Sequence, residues 1–499
     1  MPKDEKILFI YPNTTNSPAL PNAIAIFAGI VKKHRWAMEY FDTYIYQKTK
    51  DSMEDRQDSG EFKPSDATST TMKPFNRLII DLQEKIDIVK PKIVAISCMS
   101  FEFYFLLSFF NSIKIPNNTL VIIGGIQAIL DPDKVVNSGL FDLVCIGEGE
   151  EVFSEILINY KCQELRQIKN TYFINRTKGI ITKNAKRMLI EEKKVWDYVP
   201  DFSLFDDKYF LYPFDGKIYR RYNFETARGC PFNCTYCGNT ALKEANKGLG
   251  KYVRTRPLES IKNNLKTICK DYKIDLFYFE DECFLSHHAE WLREFVDWYG
   301  KEIKKPFIIQ TRPETINEER IKLLNQMNAP FFQISLGVES GSENILNKVC
   351  NRQADIKKTV EAFDLLNRQN IRTCAFFMIG FPYEKRADII ESIKLCRRIK
   401  PTIAIVSIYQ PMPGQRLRDL CVKEGFIKGD EPMQTFTGGS ILKMPQISNE
   451  EIINLRRTFL LYAMLPEEYY PKIEKCEKDY MANKELYNEL VSLRWQISN

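Results

Sequence analysis

Near the middle of the chain lies the segment Glu225-Thr-Ala-Arg-Gly-Cys-Pro-Phe-Asn-Cys-Thr-Tyr-Cys237, which contains three closely spaced cysteines. Cys230, Cys234 and Cys237 have the spacing C-x3-C-x2-C, and the next cysteine along the chain is Cys269. Thiolates are soft ligands that select iron–sulfur clusters or zinc. A cluster of four irons held by three cysteines leaves one iron open to a small molecule, and reactive metal sites keep such an open position. The spacing therefore favours a reactive iron–sulfur cluster.

Two other interpretations of this segment are a zinc knuckle and three inert buried thiols. Zinc sites usually show a second pair of ligands at a characteristic spacing. The sequence has three histidines, His34, His287 and His288, and none of them has zinc-finger spacing. The pattern fits a cluster better than either alternative.

The cysteine segment resembles the cluster motif of the radical S-adenosylmethionine (SAM) superfamily, including the aromatic residue Tyr236 before the last cysteine. In that family the open iron chelates the amino and carboxylate groups of SAM. An electron from the cluster then cleaves SAM to a 5′-deoxyadenosyl radical. The resemblance implies a 4Fe–4S cluster and SAM as cofactors of this chain.

The composition excludes several classes of protein. At 499 residues the chain is expected to form two or three domains. Its net charge of +6 arises from interspersed residues of both signs, which gives no nucleic-acid footprint. Thirteen cysteines without regular pairing indicate a reducing compartment. We expect a cytoplasmic protein without signal peptide or membrane span, because no apolar run approaches ~20 residues.

Residues 5–160 alternate short β-branched runs with helical patterns, which is typical of a parallel sheet covered by helices. The predicted strands are Lys6–Tyr11, Met38–Phe41, Lys92–Ser97, Leu120–Ile123 and Leu143–Ile146. The predicted helices are Pro21–Lys33, Asn76–Val89, Glu102–Ile113, Pro132–Asn137 and Glu150–Asn159. This α/β pattern predicts a Rossmann-like domain that binds ligands at the carboxyl ends of its strands.

Two further features interrupt or extend this pattern. The segment Gln47–Lys73 is polar and aperiodic, which predicts a mobile surface insertion, with a lid as the alternative. Thr171–Asn175 and Ile180–Lys183 flank a turn and are predicted to form a hairpin.

The second half of the chain alternates strands and helices again. The predicted strands are Asn223–Ala227, Leu276–Glu280, Phe307–Thr311, Phe332–Gly337, Thr373–Ile379 and Ile403–Tyr409. Six strand–helix units after one cysteine loop match the partial (β/α)6 barrel of radical SAM enzymes. The expected domains are 1–190, a Rossmann-like domain; 191–220, a linker; 221–421, the barrel; and 422–499, a helical extension.

Polar or glycine-rich runs follow the predicted barrel strands, where barrel enzymes collect their chemistry. By resemblance to the family, a set of these residues would shape the SAM site: Glu280, Asp281, Glu282, Arg312, Glu339 and Gly380. The acidic run at 280–282 would bind the ammonium group of SAM. The alternatives are a solvated acidic turn there and ordinary helix capping after Glu339.

Ser97 follows predicted strand three, Gly124-Gly125 follows strand four, and Gly147-Glu-Gly-Glu150 follows strand five. With this combination the N-terminal domain at 1–190 resembles the cobalamin-binding domain that precedes many radical SAM barrels. The residues expected to contact cobalamin follow strands three, four and five: Ser97, Gly124, Gly125, Gly147 and Gly149. The D-x-H-x-x-G motif, whose histidine ligates cobalt in other cobalamin domains, does not occur, which fits the family's histidine-off mode. The alternative is a Rossmann-like domain used for packing or partner binding. A dinucleotide is disfavoured because Tyr11-Pro-Asn-Thr-Thr15 replaces G-x-G-x-x-G.

The resemblance implies a cobalamin-dependent enzyme that methylates an unactivated carbon of a small-molecule or peptide substrate. An electron donor such as flavodoxin or ferredoxin is the expected partner, with no nucleic acid and no membrane. Two alternatives stay open: oxidative cyclisation or rearrangement without methyl transfer, and a non-catalytic iron–sulfur sensor or scaffold. A methylthiotransferase is disfavoured, since Cys98, Cys145 and Cys162 are unsuitably placed for a second cluster.

Overall fold

A computed structural model describes residues 5–16, 18–47, 52–62, 71–160 and 163–497 of the chain. The chain forms two compact units, each built from segments that are distant in sequence. The first unit comprises Met1–Thr49, Ala67–Leu211 and Ala241–Arg256. The second unit comprises Lys50–Asp66, Tyr212–Thr240 and Pro257–Asn499.

The strands of the described chain, numbered in order, are β1 (Lys6–Tyr11), β2 (Ala37–Asp42), β3 (Ile93–Ser97), β4 (Leu120–Gly124), β5 (Leu143–Cys145), β6 (Thr171–Asn175), β7 (Ile180–Lys183), β8 (Leu211–Phe214), β9 (Lys217–Phe224), β10 (Ala227–Arg228), β11 (Arg254–Thr255), β12 (Leu276–Phe279), β13 (Phe307–Thr311), β14 (Phe332–Glu339), β15 (Arg372–Ile379) and β16 (Ile403–Ile408).

The helices are α1 (Asn22–Lys33), α2 (Ser52–Asp58), α3 (Arg77–Val89), α4 (Ser100–Phe110), α5 (Ile126–Leu130), α6 (Pro132–Asn137), α7 (Gly149–Asn159), α8 (Gly238–Ala245), α9 (Leu258–Tyr272), α10 (Ala289–Glu302), α11 (Glu318–Asn325), α12 (Ile356–Arg368), α13 (Arg386–Ile399), α14 (Arg416–Lys423), α15 (Asn449–Met464), α16 (Tyr470–Lys478) and α17 (Lys484–Ile497). Among the described residues, none of these helices has both the length and the apolar character needed to cross a bilayer.

The first unit contains a seven-stranded sheet with the order β2-β1-β3-β4-β5-β6-β7. Strands β1 to β5 pair in parallel, and the hairpin β6–β7 adds two antiparallel strands at one edge. The order 2-1-3-4-5 is that of a doubly wound fold, whose ligands bind beyond the carboxyl ends of the strands. The predicted Rossmann-like sheet and hairpin are confirmed.

The core of the first unit explains why its strands appear as continuous apolar runs. Leu8 and Ile10 of β1 are completely buried, and they pack with Val94 of β3 in one cluster of side chains. Parallel strands covered on both faces need apolar residues at successive positions. The aromatic helix α4 contributes Phe103 and Phe109 to the same cluster, so its apolar composition serves the core.

The second unit contains a curled half-barrel sheet with the order β16-β15-β14-β13-β12-β9-β8. The five neighbouring pairs from β9 to β16 are all parallel, so six parallel strands form the predicted partial barrel. Helices α15, α16 and α17 form the predicted helical C-terminus.

The first barrel strand differs from the prediction. It spans Lys217–Phe224 rather than Asn223–Ala227. Strand β8 lies beside it in the sheet, and the two are joined by Asp215 and Gly216, both with positive φ. Such two-residue turns match the twist of neighbouring strands. An Asp-Gly pair between two aromatic runs was therefore the sequence signal for this hairpin.

The polar segment between β2 and α3 also differs from the prediction of a mobile insertion. Within its described part, Ser52–Asp58 forms helix α2 and residues 59–61 are buried. Arg56 donates hydrogen bonds to the carbonyl oxygen of Val406 and to Ser407 in β16. This part of the segment is a packed element of the second unit, held by polar contacts that leave no periodic apolar pattern.

Candidate functional site

The carboxyl ends of the parallel barrel strands meet at one edge of the half-barrel, which is where barrel enzymes place their chemistry. The cysteine loop follows β9, and the acidic run at 280–282 follows β12. Arg312 follows β13, Glu339 ends β14, and Gly380 follows β15. The structure thus places every predicted barrel-site residue at the same edge of one sheet.

The three cysteines lie on a compact loop that leads into helix α8. The backbone N–H of Cys237 donates to the carbonyl oxygen of Cys234 at 3.2 Å, and Thr240 N–H donates to the carbonyl oxygen of Cys237 at 3.2 Å. Cys234 is buried, whereas Cys230 and Cys237 are partly exposed. Hydrogen bonding within the backbone thus fixes the spacing of the second and third sulfurs.

The environment of the sulfurs suits metal-bound thiolates. Backbone N–H groups of Phe232 and Asn239 donate to the sulfurs of Cys230 and Cys237, respectively. Hydrogen bonds of this kind tune iron–sulfur clusters. Burial raises the pKa of Cys230 to about 11 and that of Cys237 to about 12. The metal-free thiols are therefore protonated at neutral pH, and metal binding releases protons.

The donor set fits a cubane cluster. In the described part of the chain, no group of three His, Cys, Asp or Glu side chains is arranged to hold a single metal ion. A cubane cluster does not require such convergence, because each cysteine binds a different iron. Three soft sulfurs on one loop, two of them accepting amide N–H groups, are the ligands that such a cluster needs.

The turn between the second and third cysteines is anchored to two distant segments. Thr235 donates from its backbone N–H to the carbonyl oxygen of Cys350 at 3.0 Å, and from its hydroxyl to that of Val349 at 2.7 Å. Its own carbonyl oxygen accepts the N–H of Leu417 at 3.2 Å. The side chain of Gln415 donates to the carbonyl oxygen of Tyr236. The loop is therefore held from outside as well as by its own backbone.

An arginine at the end of β13 holds the other half of the loop. The Arg312 guanidinium lies 4.0 Å from the ring centre of Phe232, a cation–π contact. It also donates to Glu314 at 3.2 Å and to the carbonyl oxygen of Arg352 at 2.6 Å. Because of these arginines, the pKa of the Glu314 carboxyl is lowered despite its burial. Arg312 thus connects the cysteine loop to the end of β13 and to the backbone at residue 352.

The three residues of the acidic run after β12 differ in their exposure and in their hydrogen-bond partners. Glu280 accepts a hydrogen bond at 2.7 Å from the side chain of Asn223. Asp281 is only 2% exposed and accepts the backbone N–H and hydroxyl of Thr226 at 3.1 and 2.8 Å. Glu282 is exposed. Asp281 therefore fixes the chain just before the cysteine loop, while Glu280 and Glu282 remain accessible to a ligand.

The ends of β14 and β15 carry unusual backbone conformations. Glu339 has a φ of 69°, beside an irregularity in the pairing of β14 with β15. Gly380 has a φ of 80°, and its N–H donates at 2.5 Å to the buried carboxyl group of Glu384. Non-glycine residues with positive φ cluster at functional sites. The two turns thus hold Glu339 and Gly380 in conformations that an ordinary strand end would not give.

At the carboxyl edge of the first sheet, Ser97, Gly124 and Gly125 are partly exposed. A methyl group on Gly125 would lie 2.5 Å from the carbonyl oxygen of Cys98, and its φ is 92°. A methyl group on Gly124 would meet only Cys145, at 3.5 Å, which is ordinary contact. The backbone at Gly124 therefore has room for the close approach of a flat ligand.

The two glycines after β5 are packed against the protein itself. A methyl group on Gly147 would lie 2.6 Å from the Asn170 side chain, and one on Gly149 would lie 2.8 Å from the ring of Phe27. The imidazole of His34, on α1, lies 3.2 Å from the hydroxyl of Ser154 on α7. Gly147 and Gly149 thus allow a close turn between β5 and α7.

The sequence interpretation missed Arg352, which contacts residues of the predicted site. Arg352 is 5% exposed and contacts Tyr236, Gly337 and Glu339. It follows a π-helical turn over Ile345–Val349, a rare element that often occurs at functional sites. A single arginine 13 positions after Glu339 gives no local signal of this role.

The half-barrel and the three-cysteine loop at its edge together define an enzyme that binds a cluster. Residues 224–396 match the family model described as the Radical SAM superfamily. The chain therefore contains a radical SAM domain over these residues and is an enzyme. Domains of this superfamily use a 4Fe–4S cluster, SAM and a reductant.

The chain is similar to an uncharacterized methyltransferase of Pyrococcus horikoshii, with 23% identity over 71% of this chain and 74% of the relative. It is also similar to the anaerobic magnesium-protoporphyrin IX monomethyl ester cyclase of Cereibacter sphaeroides, with 24% identity over 68% of this chain and 55% of the relative. The match thus spans little more than half of the cyclase.

Among solved structures, the fold resembles TsrM of Kitasatospora setae, a radical SAM methyltransferase with cobalamin and a [4Fe-4S] cluster bound. The TM-score is 0.59 at 14% identity, and the match covers 84% of this chain and 75% of TsrM. The coverage means that the similarity in fold extends well beyond residues 224–396.

Proposed function

We propose that this chain is a cobalamin-dependent radical SAM methyltransferase that acts on an unactivated carbon of a small-molecule or peptide substrate. The observation that carries the proposal is the combination of the three-cysteine half-barrel with a parallel 2-1-3-4-5 sheet in one chain. TsrM, which binds cobalamin and a cluster, shares a fold over 84% of this chain. The methyltransferase of P. horikoshii supports the same reaction class.

The residues of this chain have distinct parts in the proposal. When bound, the reduced cluster supplies the electron that breaks a carbon–sulfur bond of SAM, and cobalamin supplies the methyl group. Cys230, Cys234 and Cys237 hold the cluster. The residues that shape the SAM site are Glu280, Asp281, Glu282, Arg312, Glu339 and Gly380.

In the first unit, Ser97, Gly124 and Gly125 lie at the carboxyl edge of the sheet and are partly exposed. We assign them contacts with cobalamin, because backbone without a bulky side chain can approach a flat macrocycle. Gly147 and Gly149 would serve the same site by keeping the turn after β5 close to the sheet. A flavodoxin or ferredoxin is the proposed electron donor.

The proposal is tested by anaerobic reconstitution with iron, sulfide and hydroxocobalamin, followed by desalting and absorption spectroscopy. Cluster and corrinoid bands should both remain with the protein. The loaded protein is then reduced with an excess of a strong reductant such as titanium(III) citrate, which brings the bound corrinoid from Co(III) to Co(I), and SAM labelled in its methyl group is added. The Co(I) centre should take the methyl group with S-adenosylhomocysteine as the leaving group, and mass spectrometry of the recovered corrinoid should show the labelled methyl. Retained cluster bands without corrinoid bands would refute the cobalamin proposal and leave the radical SAM assignment intact.

The similarity to the C. sphaeroides cyclase supports a second candidate, oxidative cyclisation without methyl transfer. This candidate also uses SAM cleavage, so 5′-deoxyadenosine does not distinguish the two. Corrinoid that stays unlabelled while 5′-deoxyadenosine accumulates would favour the cyclase.

A further inference from the structure

Tyr236, between the second and third cysteines, is held through its side-chain hydroxyl and through its backbone carbonyl oxygen. Its hydroxyl accepts a hydrogen bond at 2.9 Å from Nη1 of Arg352 and itself donates to Glu339. Its carbonyl oxygen accepts the side chain of Gln415. Tyr236 is partly exposed, and because it lies between two of the cysteines, its position affects the cysteine loop.

Arg352 is the common partner in this arrangement. One of its terminal nitrogens lies 3.5 Å from Glu339 and the other donates to the carbonyl oxygen of Gly337. Its Nε lies 4.0 Å from Glu314. A planar guanidinium can bind several acceptors in fixed directions, which a lysine cannot do. Arg352 thus ties the cysteine loop to the bulged end of β14.

The polypeptide around Arg352 strengthens the connection. The carbonyl oxygens of Val349 and Cys350 accept both donors of Thr235, which precedes Tyr236. The carbonyl oxygen of Arg352 itself accepts Arg312 at 2.6 Å. Residues 349–352 therefore hold the cysteine loop through backbone and side chain together.

The charges in this network are balanced, with two arginines and two glutamates. Arg312 and Arg352 face Glu314 and Glu339, and these side chains are buried or partly buried. Burial raises the pKa of Glu339, and the nearby Arg352 opposes this rise. A buried pair that loses one partner leaves an uncompensated charge at high cost.

We propose that Arg352, acting through the hydroxyl of Tyr236, is a positioning residue that aligns the cysteine loop with Glu339 for SAM binding. The inference rests on the cluster and SAM of the radical SAM domain and requires neither cobalamin nor methyl transfer. It assigns a role in SAM affinity to two residues outside the predicted SAM-contact set.

The test uses the full chain, reconstituted anaerobically with iron and sulfide and reduced with dithionite, without corrinoid or substrate. The variants are Tyr236→Phe, which removes one hydroxyl, Arg352→Lys, which keeps the charge, and the double variant. Tyr299→Phe is the matched control, because that buried hydroxyl donates only to the carbonyl oxygen of Lys305 at 2.9 Å. The measurements are iron per chain, the Kd for SAM, and the change that SAM causes in the electron paramagnetic resonance spectrum of the reduced cluster.

We expect Tyr236→Phe to keep its iron and to raise the Kd for SAM about tenfold, as losing a hydrogen bond to a charged group does. Arg352→Lys should raise the Kd for SAM to a similar degree, because both substitutions break the same Arg352–Tyr236 contact. The double variant should therefore have a Kd no higher than that of the more strongly affected single variant. Tyr299→Phe should leave both Kd and spectrum unchanged.

A Tyr236→Phe protein with full iron and the Kd and SAM-induced spectrum of the wild type would overturn the inference, as would additive effects in the double variant. If Arg352→Lys fails to fold, Tyr236→Phe alone decides. A wild type that takes up no cluster would overturn the inference together with the site. A wild type that binds SAM but methylates nothing would overturn only the proposed function.

Discussion

Glu61 accepts a hydrogen bond at 3.0 Å from Nη2 of Arg456, a residue 395 positions later in the chain. Its other carboxylate oxygen lies 2.6 Å from Nη1 of Arg56, and the three side chains are buried. Both arginines also donate to the carbonyl oxygen of Val406 in β16, the terminal parallel strand of the half-barrel. Glu61 thus pairs two arginines, one from the segment after β2 and one from helix α15, and both arginines bind the same strand.

Replacing Glu61 with glutamine should strongly destabilise the second unit, because two buried guanidinium groups would lose their carboxylate. Breaking a buried charge pair typically costs about 3–5 kcal/mol. The measurement is the thermal unfolding midpoint of the variant against the wild type.

The matched control is Asp364→Asn, which breaks an exposed pair with Arg398 at 2.9 Å. Exposed pairs contribute at most about 1 kcal/mol, so this midpoint should barely move. Equal effects of the two substitutions would contradict a stabilising role for the Glu61 network.

A second prediction concerns pH. Burial raises the pKa of Glu384 to about 8, although the N–H groups of Gly380 and Phe381 lower it in part. The folded protein therefore keeps a proton that the unfolded chain releases near its ordinary pKa of 4.5. Stability from this group is fully present below about pH 4.5 and is lost as the pH rises to about 8, at roughly 1.4 kcal/mol per pH unit.

The Glu384→Gln variant cannot titrate, so it should lack this loss. We expect the variant to gain in unfolding midpoint relative to the wild type between pH 5 and pH 8. Comparing the two proteins at both pH values cancels the other titrating groups that they share. A midpoint difference that is the same at pH 5 and pH 8 would show that Glu384 is charged throughout.

Most of the fold could be predicted because its strands are buried on both faces. Runs of Ile, Leu and Phe located β1 and β13 with the bounds that the structure shows, Lys6–Tyr11 and Phe307–Thr311. Helix α2 could not be predicted in this way, because it is held by Arg56 and its partners rather than by an apolar stripe. The carboxylate of Glu61 and the guanidinium of Arg456 are brought together only by the tertiary fold.

The site was predictable to the extent that its residues directly follow strands. The cysteines, Arg312 and Glu339 lie at strand ends, so their order in sequence fixed their common edge. Arg352 lies after a π-helical turn, and its partners Tyr236 and Gly337 come from other segments. A residue that acts through contacts between segments leaves no spacing pattern.

A third prediction compares the three proposed cluster ligands with Cys283, a buried cysteine close to Cys230. Cys230→Ala, Cys234→Ala or Cys237→Ala should each abolish the cluster absorbance and the formation of 5′-deoxyadenosine from SAM. Cys283 is buried after β12, where its sulfur lies 3.3 Å from the hydroxyl of Thr311 and close enough to influence the pKa of Cys230.

Cys283→Ser should therefore fold and keep both the cluster absorbance and its iron content, because the loop already supplies three sulfurs. Iron per chain and absorption spectra of the reconstituted proteins measure this directly. Loss of the cluster in Cys283→Ser would indicate that Cys283 is a fourth cluster ligand. Four cysteine ligands would leave no iron open for SAM.

The last prediction uses two neighbouring glycines to separate a folding role from a ligand role. Gly125→Ala places a methyl group 2.5 Å from the carbonyl oxygen of Cys98 at a φ of 92°, so it should lower the unfolding midpoint of the first unit. Gly124→Ala places one 3.5 Å from Cys145, an ordinary contact, so this variant should fold like the wild type. If cobalamin approaches the backbone at Gly124, the added methyl group should weaken corrinoid retention after desalting, while SAM cleavage in the second unit continues. Full corrinoid retention by a well-folded Gly124→Ala protein would show that the corrinoid does not approach the backbone at this strand end.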